Sequence, residues 1–294
     1  MMEIALKLDY ISEYRSKRVA DYRKMMESPY IRTFQMLEKM ERHEIQRIYI
    51  GNDFCENRLQ SIEELQAWCR LCIEENLALT VIFPIVSQRG MSHTLNVIRF
   101  LKEINGIARL EVVINDVGML KMFRDSKIKI CCGRLFDKSP CDMRFMGDDY
   151  GRYFNESGWK LMQTSAVCSK NMQKILKEYD VGRLEFDSGK WLDLNEQYEY
   201  TLYMPYSYIT TGRMCMFKNY QNKMIFDNSY ANCSFACKSI TQIMEKKNCY
   251  MDAKGVIQKN TTVCLRKGNT IFAEHQITID QIPKQVNRIL IEFL

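Results

Sequence analysis

The chain has 294 residues, of which 46% are hydrophobic and 27% charged, and it carries a net charge of +6. These apolar residues are sufficient to build a core, which excludes an intrinsically disordered chain, and no apolar run reaches the length of a membrane span. Acidic residues interrupt the basic ones along the whole chain, so the charge alone does not indicate nucleic-acid binding. The first ten residues include Glu3 and Asp9 and lack the apolar centre of a signal peptide, so we expect a cytoplasmic protein.

Strand-like and helix-like patterns alternate from the beginning of the chain. Apolar alternation and short apolar runs predict strands at 3–9, 47–51, 77–84, 109–115, 127–133, 182–187, 198–205, 261–266, 270–274 and 288–293. Amphipathic spacing predicts helices at 11–26, 31–42, 61–75, 93–104, 117–123 and 169–179, and the start of another within 235–247. Ser61 and Glu64 form a capping-box pattern. The polar and aromatic segment 140–158 is expected to be a loop.

The alternation repeats at intervals of roughly 25 to 35 residues, which indicates βαβ units. We therefore expect an α/β fold, a TIM-barrel-like (β/α) barrel with seven or eight core strands and a β-rich C-terminal extension. Residues 1–248 are assigned to the barrel domain and residues 249–294 to the β-rich segment packed on it. In such barrels the active site is built at the C-terminal ends of the strands.

Twelve cysteines are many for a cytosolic chain, in which disulfides are rare. Cys69 and Cys72 lie within a predicted helix, and we interpret them as buried thiols. Cys131 and Cys132 are neighbours in a predicted strand, where successive side chains point to opposite faces. Three or four of the other cysteines are expected to bind metal.

Three cysteines concentrate in one stretch, Cys215 in T-T-G-R-M-C and Cys233 and Cys237 in C-S-F-A-C. Grouped thiolates indicate an iron–sulfur cluster or a zinc ion. Cys55 directly follows the predicted strand 47–51, and Cys215 follows the strand 198–205, so both are expected at the same mouth of the barrel. Cys55 is therefore the expected fourth ligand. Because structural zinc sites usually use C-x-x-C pairs, this spacing favours the cluster, with zinc as the alternative.

Four segments together resemble one family. They are R-I-Y-I-G-N-D-F-C-E-N-R, C-C-G-R-L-F-D-K-S-P-C-D-M-R, T-T-G-R-M-C-M-F and C-S-F-A-C-K. They are similar to segments of the peptidase U-32 (collagenase-like protease) family, and most of all to its iron–sulfur branch, which includes the anaerobic ubiquinone-biosynthesis proteins UbiU and UbiV. The resemblance spans about residues 47–238. Met214 departs from it, because the family usually has its cysteine directly after the G-R pair.

The resemblance implies that Cys55, Cys215, Cys233 and Cys237 ligate a 4Fe-4S cluster. It also implies a part in oxygen-independent hydroxylation, a homologous partner protein in a heteromer, and a small-molecule carboxylate or an RNA as substrate. The family label adds peptidase activity as an alternative, and a non-catalytic electron-relay or structural subunit is a third. Peptidase activity is the less favoured, because the three histidines stand in no nucleophile–base or metalloprotease pattern.

Two arginines are candidates for binding a substrate. Arg134 and Arg213 each follow a glycine near a predicted strand end. If they line the barrel mouth, they could clamp a carboxylate substrate; the alternative is an ion pair within the protein. Asp148 and Asp149 resemble a catalytic carboxylate pair, but their glycine-flanked position favours a turn.

Overall fold

The computed structural model describes residues 2–8, 18–27, 31–40, 44–137, 155–187, 194, 196–218, 233–251, 255, 257–274 and 277–294. Eight parallel strands form a closed barrel. In the order in which they neighbour one another, these strands are β1 (Glu3–Lys7), β2 (Arg47–Gly51), β3 (Ala78–Phe83), β4 (Glu111–Ile114), β5 (Lys129–Cys132), β6 (Val181–Asp187), β7 (Glu199–Met204) and β12 (Val286–Glu292). The last strand pairs with β1, so the predicted α/β barrel is confirmed and it is complete.

Helices connect most of the barrel strands. They are α1 (Val19–Glu27), α2 (Ile31–Lys39), α3 (Ile62–Glu74), α4 (Met91–Glu103), α5 (Val117–Phe123), α6 (Glu156–Gln163) and α7 (Lys170–Glu178). The capping box at Ser61 is confirmed, since its side chain accepts from the Glu64 amide and the Glu64 side chain accepts from the Ser61 amide. Within the described residues, no helix is both long enough and apolar enough to cross a membrane.

A four-stranded antiparallel sheet is inserted between β7 and β12. Its strands are β8 (Tyr206–Thr211), β9 (Gln242–Met251), β10 (Ile257–Lys267) and β11 (Thr270–Glu274), and they lie in the order β8-β11-β10-β9. The residues after the insertion return to the barrel as β12. The boundary that we placed between residues 248 and 249 therefore falls inside β9, and the segment 249–294 contributes strands to both sheets.

Two local predictions are wrong. The predicted start of a helix within 235–247 is a short 3₁₀ helix, Ala236–Lys238, followed by β9. Ten residue pairs join β9 to β10, and this pairing outweighs the local helical pattern. The end of the predicted loop 140–158 is helical, because the Asn155 side chain caps α6 by accepting from the Gly158 amide. The rest of that loop, 140–154, lies outside the described residues.

The buried cysteines behave as expected. Cys131 faces the interior of the barrel, while Cys132 belongs to the hydrophobic core outside it. Cys69 and Cys72 are buried in that same outer core, on the face of α3 that packs on the barrel. These four thiols therefore have a packing role.

The barrel interior contains many charged side chains. At its N-terminal end, Arg288 donates to Glu3 at 2.6 Å and to Glu111 at 2.8 Å, and Arg47 donates to Glu3 at 2.9 Å. Above them lies an apolar layer formed by Ala5, Tyr49, Ile82, Val113, Cys131, Tyr203 and Leu290. A barrel filled in this way is a packed core and leaves no central channel.

Glu185 is buried within the apolar layer of the barrel interior, where it accepts hydrogen bonds from two tyrosines. The Tyr203 hydroxyl donates to Glu185 Oε2 at 2.6 Å, and the Tyr49 hydroxyl donates to Oε1 at 2.8 Å. Burial raises the pKa of Glu185 to about 7, although both hydrogen bonds oppose the shift.

This raised pKa predicts a pH-dependent stability. The folded chain binds the Glu185 proton more tightly than the unfolded chain, so this residue's contribution to the free energy of unfolding falls as the pH rises from about 4.5 to about 7. Glu185→Gln removes the titration. Relative to wild type, the free energy of unfolding of the variant should rise by about 2.5 kcal/mol between pH 5 and pH 8, at about 1.4 kcal/mol per pKa unit. Denaturant unfolding at both pH values measures this gain, and an unchanged difference between the two proteins would contradict it.

Candidate metal centre

A buried guanidinium closes the C-terminal mouth of the barrel. Arg134 follows β5 and is fully buried. Its terminal nitrogens donate to Asp187 at 2.7 Å, to the two oxygens of Glu292 at 2.5 and 2.8 Å, and to Asp53 at 3.1 Å. Each of these carboxylates stands at or just beyond the end of a strand. Arg134 therefore ties the ends of β2, β6 and β12 together.

The two arginines that we predicted as substrate ligands are placed very differently. Arg134 is engaged by three carboxylates of the protein and has no exposed surface, which corresponds to the ion-pair alternative. Arg213 is exposed, two residues before Cys215. A role for Arg213 in substrate binding stays a prediction.

Asp53 connects this ion network to the cysteine site. Lys7 donates to its Oδ2 at 2.6 Å, and Asn115 donates to its Oδ1 at 3.2 Å. Burial raises the pKa of Asp53, but the charges of Lys7 and Arg134 outweigh this effect and lower the pKa to about 2. The carboxylate is therefore ionised and held from several sides, and Cys55 follows it by two residues.

Phe54 lies between Asp53 and Cys55 and anchors the same loop through its ring. Its ring centroid lies 5.2 Å from that of Tyr208 in β8 and 5.6 Å from that of Phe272 in β11. The Arg134 guanidinium carbon lies 4.9 Å from the Phe54 centroid. These aromatic contacts join the barrel to the inserted sheet and direct Cys55 towards the rim between them.

Four cysteines from three separate segments meet at this rim. Cys55 follows β2, and Cys215 follows β8. Cys233 lies just before the 3₁₀ helix that leads into β9, and Cys237 lies within that helix. Leu294, two residues beyond β12, belongs to the same small apolar cluster as Cys215 and Cys237. The site is therefore on the C-terminal side of the barrel and beside its axis, because the Arg134 network occupies the axis.

The turn between β10 and β11 holds the cysteine-bearing loops together. The Asn269 side-chain amide donates to the Phe54 carbonyl and to the Gly212 carbonyl, both at 2.7 Å, and the Asn269 carbonyl accepts from the Gly212 amide at 3.2 Å. One asparagine thus links the loop of Cys55 to the loop of Cys215.

Gly268, in the same turn, leaves room beside two of the sulfurs. Its φ of +63° is in the left-handed region, which favours glycine. A Cβ at this position would lie 3.8 Å from the Cys237 Sγ and 3.9 Å from the Cys215 Sγ, so both sulfurs border the same small space. A larger residue would fill part of that space.

The electrostatics of the cysteines reflect their proximity. Burial, together with negative charge on Cys237, Cys233 and Cys215, raises the pKa of the Cys55 thiol to about 12, although the Asn57 backbone amide opposes the shift. Burial also raises the pKa of Cys215, against backbone hydrogen bonds from Phe217 and Lys218. Thiolates grouped in this way need a compensating positive charge, which a metal centre would supply.

Arg58 places a second guanidinium next to the site. It belongs to the 3₁₀ helix Glu56–Arg58 directly after Cys55, and its Nη1 lies 3.8 Å from the Cys237 Sγ, at which distance it donates a weak hydrogen bond. Its side chain is almost completely buried. Hydrogen bonds and positive charge near sulfur stabilise the electron-rich state of a metal–thiolate centre.

The donor set consists of thiols, which both iron–sulfur clusters and zinc accept as ligands. Within the described residues, no three His, Cys, Asp or Glu side chains are arranged to hold a metal ion directly. A zinc ion needs its thiolates to converge at about 2.3 Å from one point. In a cluster each iron takes one thiolate, so the sulfurs surround a larger volume. The Cys215 and Cys237 sulfurs border the space beside Gly268, and the charges of Cys215, Cys233 and Cys237 act on Cys55.

Sequence reasoning missed part of this arrangement. Residues 267–269 were recognised only as a turn, and nothing in the local pattern indicates that Asn269 bridges two loops or that Gly268 borders two thiols. The sequence around Arg58 also gives no indication that its side chain contacts Cys237. His93 is exposed on α4, and its Nε2 lies 3.3 Å from the Leu59 carbonyl oxygen. His43, His275, Asp148 and Asp149 lie outside the described residues.

Comparisons with protein-family models, with curated proteins and with solved structures gave no match.

The bridging role of Asn269 predicts a local loss of order when it is shortened. Asn269→Ala leaves two carbonyls without their donor, which should lower the free energy of unfolding by about 1–3 kcal/mol. Amide hydrogen exchange should accelerate in residues 54–57 and 212–217. Asn96→Ala, at an exposed position of α4, is the matched control and should change neither quantity. Unchanged exchange in both segments of Asn269→Ala would contradict the bridging role.

Proposed function

We propose that the chain binds a 4Fe-4S cluster through Cys55, Cys215, Cys233 and Cys237. The observation that supports this most directly is the meeting of the four thiols, from segments up to about 180 residues apart in sequence, at one rim of the barrel. Zinc is the alternative metal, and the absence of paired C-x-x-C spacing among these four cysteines favours the cluster over it.

The protein would shield the cysteines from water on one side and stabilise their thiolate forms. The Arg134 network and the ring of Phe54 exclude water on the barrel side. The backbone amides of Asn57, Phe217 and Lys218 lower the pKa of the thiols to which they donate, and so favour the thiolates that bind iron. When bound, a cluster supplies one-electron transfer or an iron site for an oxygen-donor group.

The reaction that we propose is oxygen-independent hydroxylation in the cytoplasm, with the chain acting as one subunit beside a homologous partner. This part of the proposal rests on the resemblance to the iron–sulfur branch of the peptidase U-32 family. Peptidase activity gains no support from the described residues. His93 is the only histidine among them, and no hydrogen bond joins it to a cysteine.

Removing one ligand tests the cluster. Wild-type protein that is reconstituted anaerobically with iron and sulfide should hold about four irons per chain and absorb near ~400 nm. Cys55→Ala should lose most of the iron and of this absorbance, because a thiolate held by a fixed loop is removed. Cys168→Ala changes another half-buried thiol outside the site and should behave like wild type.

Three results would contradict the proposal. One is a colourless wild-type protein that carries zinc. Another is Cys55→Ala protein with full iron content. The third is an equal loss of iron in Cys55→Ala and in Cys168→Ala, which would indicate a general effect of thiol removal on the fold.

A further inference from the structure

A cavity of about 260 Å³ opens beside the cysteine site. One wall is the loop 57–61, which follows Cys55, and another is formed by Phe235 and Lys238, which flank Cys237. An apolar cavity of about 150 Å³ holds benzene, so this volume accommodates a substituted six-membered ring. The cavity is distinct from the barrel mouth, which the Arg134 network fills.

The base of the cavity is apolar. Leu8 and Leu59 are buried there, and the indole of Trp68 is only 2% exposed. The ring of Phe235 stands at the opening with 38% of its surface exposed. This combination of a buried apolar base and an aromatic rim is typical of sites that take a ring or another flat apolar group.

The charged groups of the wall favour an anion. Arg58 and Lys238 contribute two positive charges, and Arg58 reaches from the cavity to the Cys237 sulfur. Glu64 is the only acidic residue of the described lining, and its Oε2 already accepts from the Ser61 amide as part of the helix cap. The cavity wall therefore carries a net positive charge next to the thiols.

Two further observations indicate that this cavity holds a ligand. The Gln60 Oε1 atom is buried in the wall and has no hydrogen-bond partner among the described residues, so a donor from a ligand would satisfy it. Phe235 has a φ of +54°, a left-handed conformation that is costly for a bulky residue and that recurs at ligand sites.

We propose that this cavity binds a small organic anion with a ring and a hydrogen-bond donor, and that the anion lies next to the cysteine site. Lys238 and Arg58 attract the charged group, Trp68 and Phe235 contact the ring, and Gln60 accepts from the donor. The claim that the ligand is a substrate rests on the proposed function. The claim that the cavity binds the ligand is independent of it.

Three related probes separate these contributions in titration calorimetry on the full chain, purified anaerobically. Benzoate should bind saturably in the millimolar range or more tightly. Benzamide, which has the same shape without the charge, should bind at least about tenfold more weakly. 3-Hydroxybenzoate should bind more tightly than benzoate, because its hydroxyl can donate to Gln60.

Two variants assign the binding to this cavity. Lys238→Ala should weaken benzoate about tenfold, while Lys121→Ala, at an exposed position of α5, should leave it unchanged. Gln60→Leu should abolish the advantage of 3-hydroxybenzoate and leave benzoate itself unchanged. Absence of saturable benzoate binding, equal binding of benzamide, or equal effects of the two lysine variants would overturn the proposal.

Iron content, measured on the same samples, keeps the two proposals apart. Protein that lacks iron after reconstitution and still binds benzoate through Lys238 would overturn the metal centre and support the cavity. Protein that holds its iron and does not bind benzoate would overturn the cavity and leave the metal centre standing.

Discussion

The fully buried ion pairs of Arg134 are the interaction on which the rest of the site depends. A buried guanidinium is costly to desolvate, and removal of one partner from such a pair typically costs about 3–5 kcal/mol. Here two cations, Lys7 and Arg134, face three carboxylates at the ends of β2, β6 and β12. These pairs fix the strand ends relative to one another. The loop that leaves β2 therefore begins from a rigid point.

Closure of the mouth also determines where chemistry can take place. In a (β/α) barrel the substrate usually approaches the strand ends along the axis. In this protein the axis is filled by charged side chains, and the inserted sheet β8–β11 covers one side of the rim. That sheet brings Cys215, and the segment leading into it brings Cys233 and Cys237, so both the candidate metal centre and the adjacent cavity lie beside the axis.

Sequence patterns were sufficient to predict the barrel, while the choice of the four cysteines as ligands stays a proposal. Strand–helix alternation is a local signal, and β2 and α5 were predicted with the bounds that the structure has. Interactions between distant residues were not predictable in this way. Arg134 and Glu292 are 158 residues apart, and Asn269 and Phe54 are 215 apart. The strand β9 was missed for the same reason, because its partner β10, and not its own pattern, determines its conformation.

X-ray absorption at the iron and zinc edges of the anaerobically purified protein tests the central claim most directly. The four cysteines at the barrel rim should bind iron, with sulfur neighbours and a short iron–iron distance that only a cluster produces. The opposite result would be zinc with four sulfur ligands at about 2.3 Å and no neighbouring metal. That result would contradict the account, because the sulfurs would have to converge on a single point.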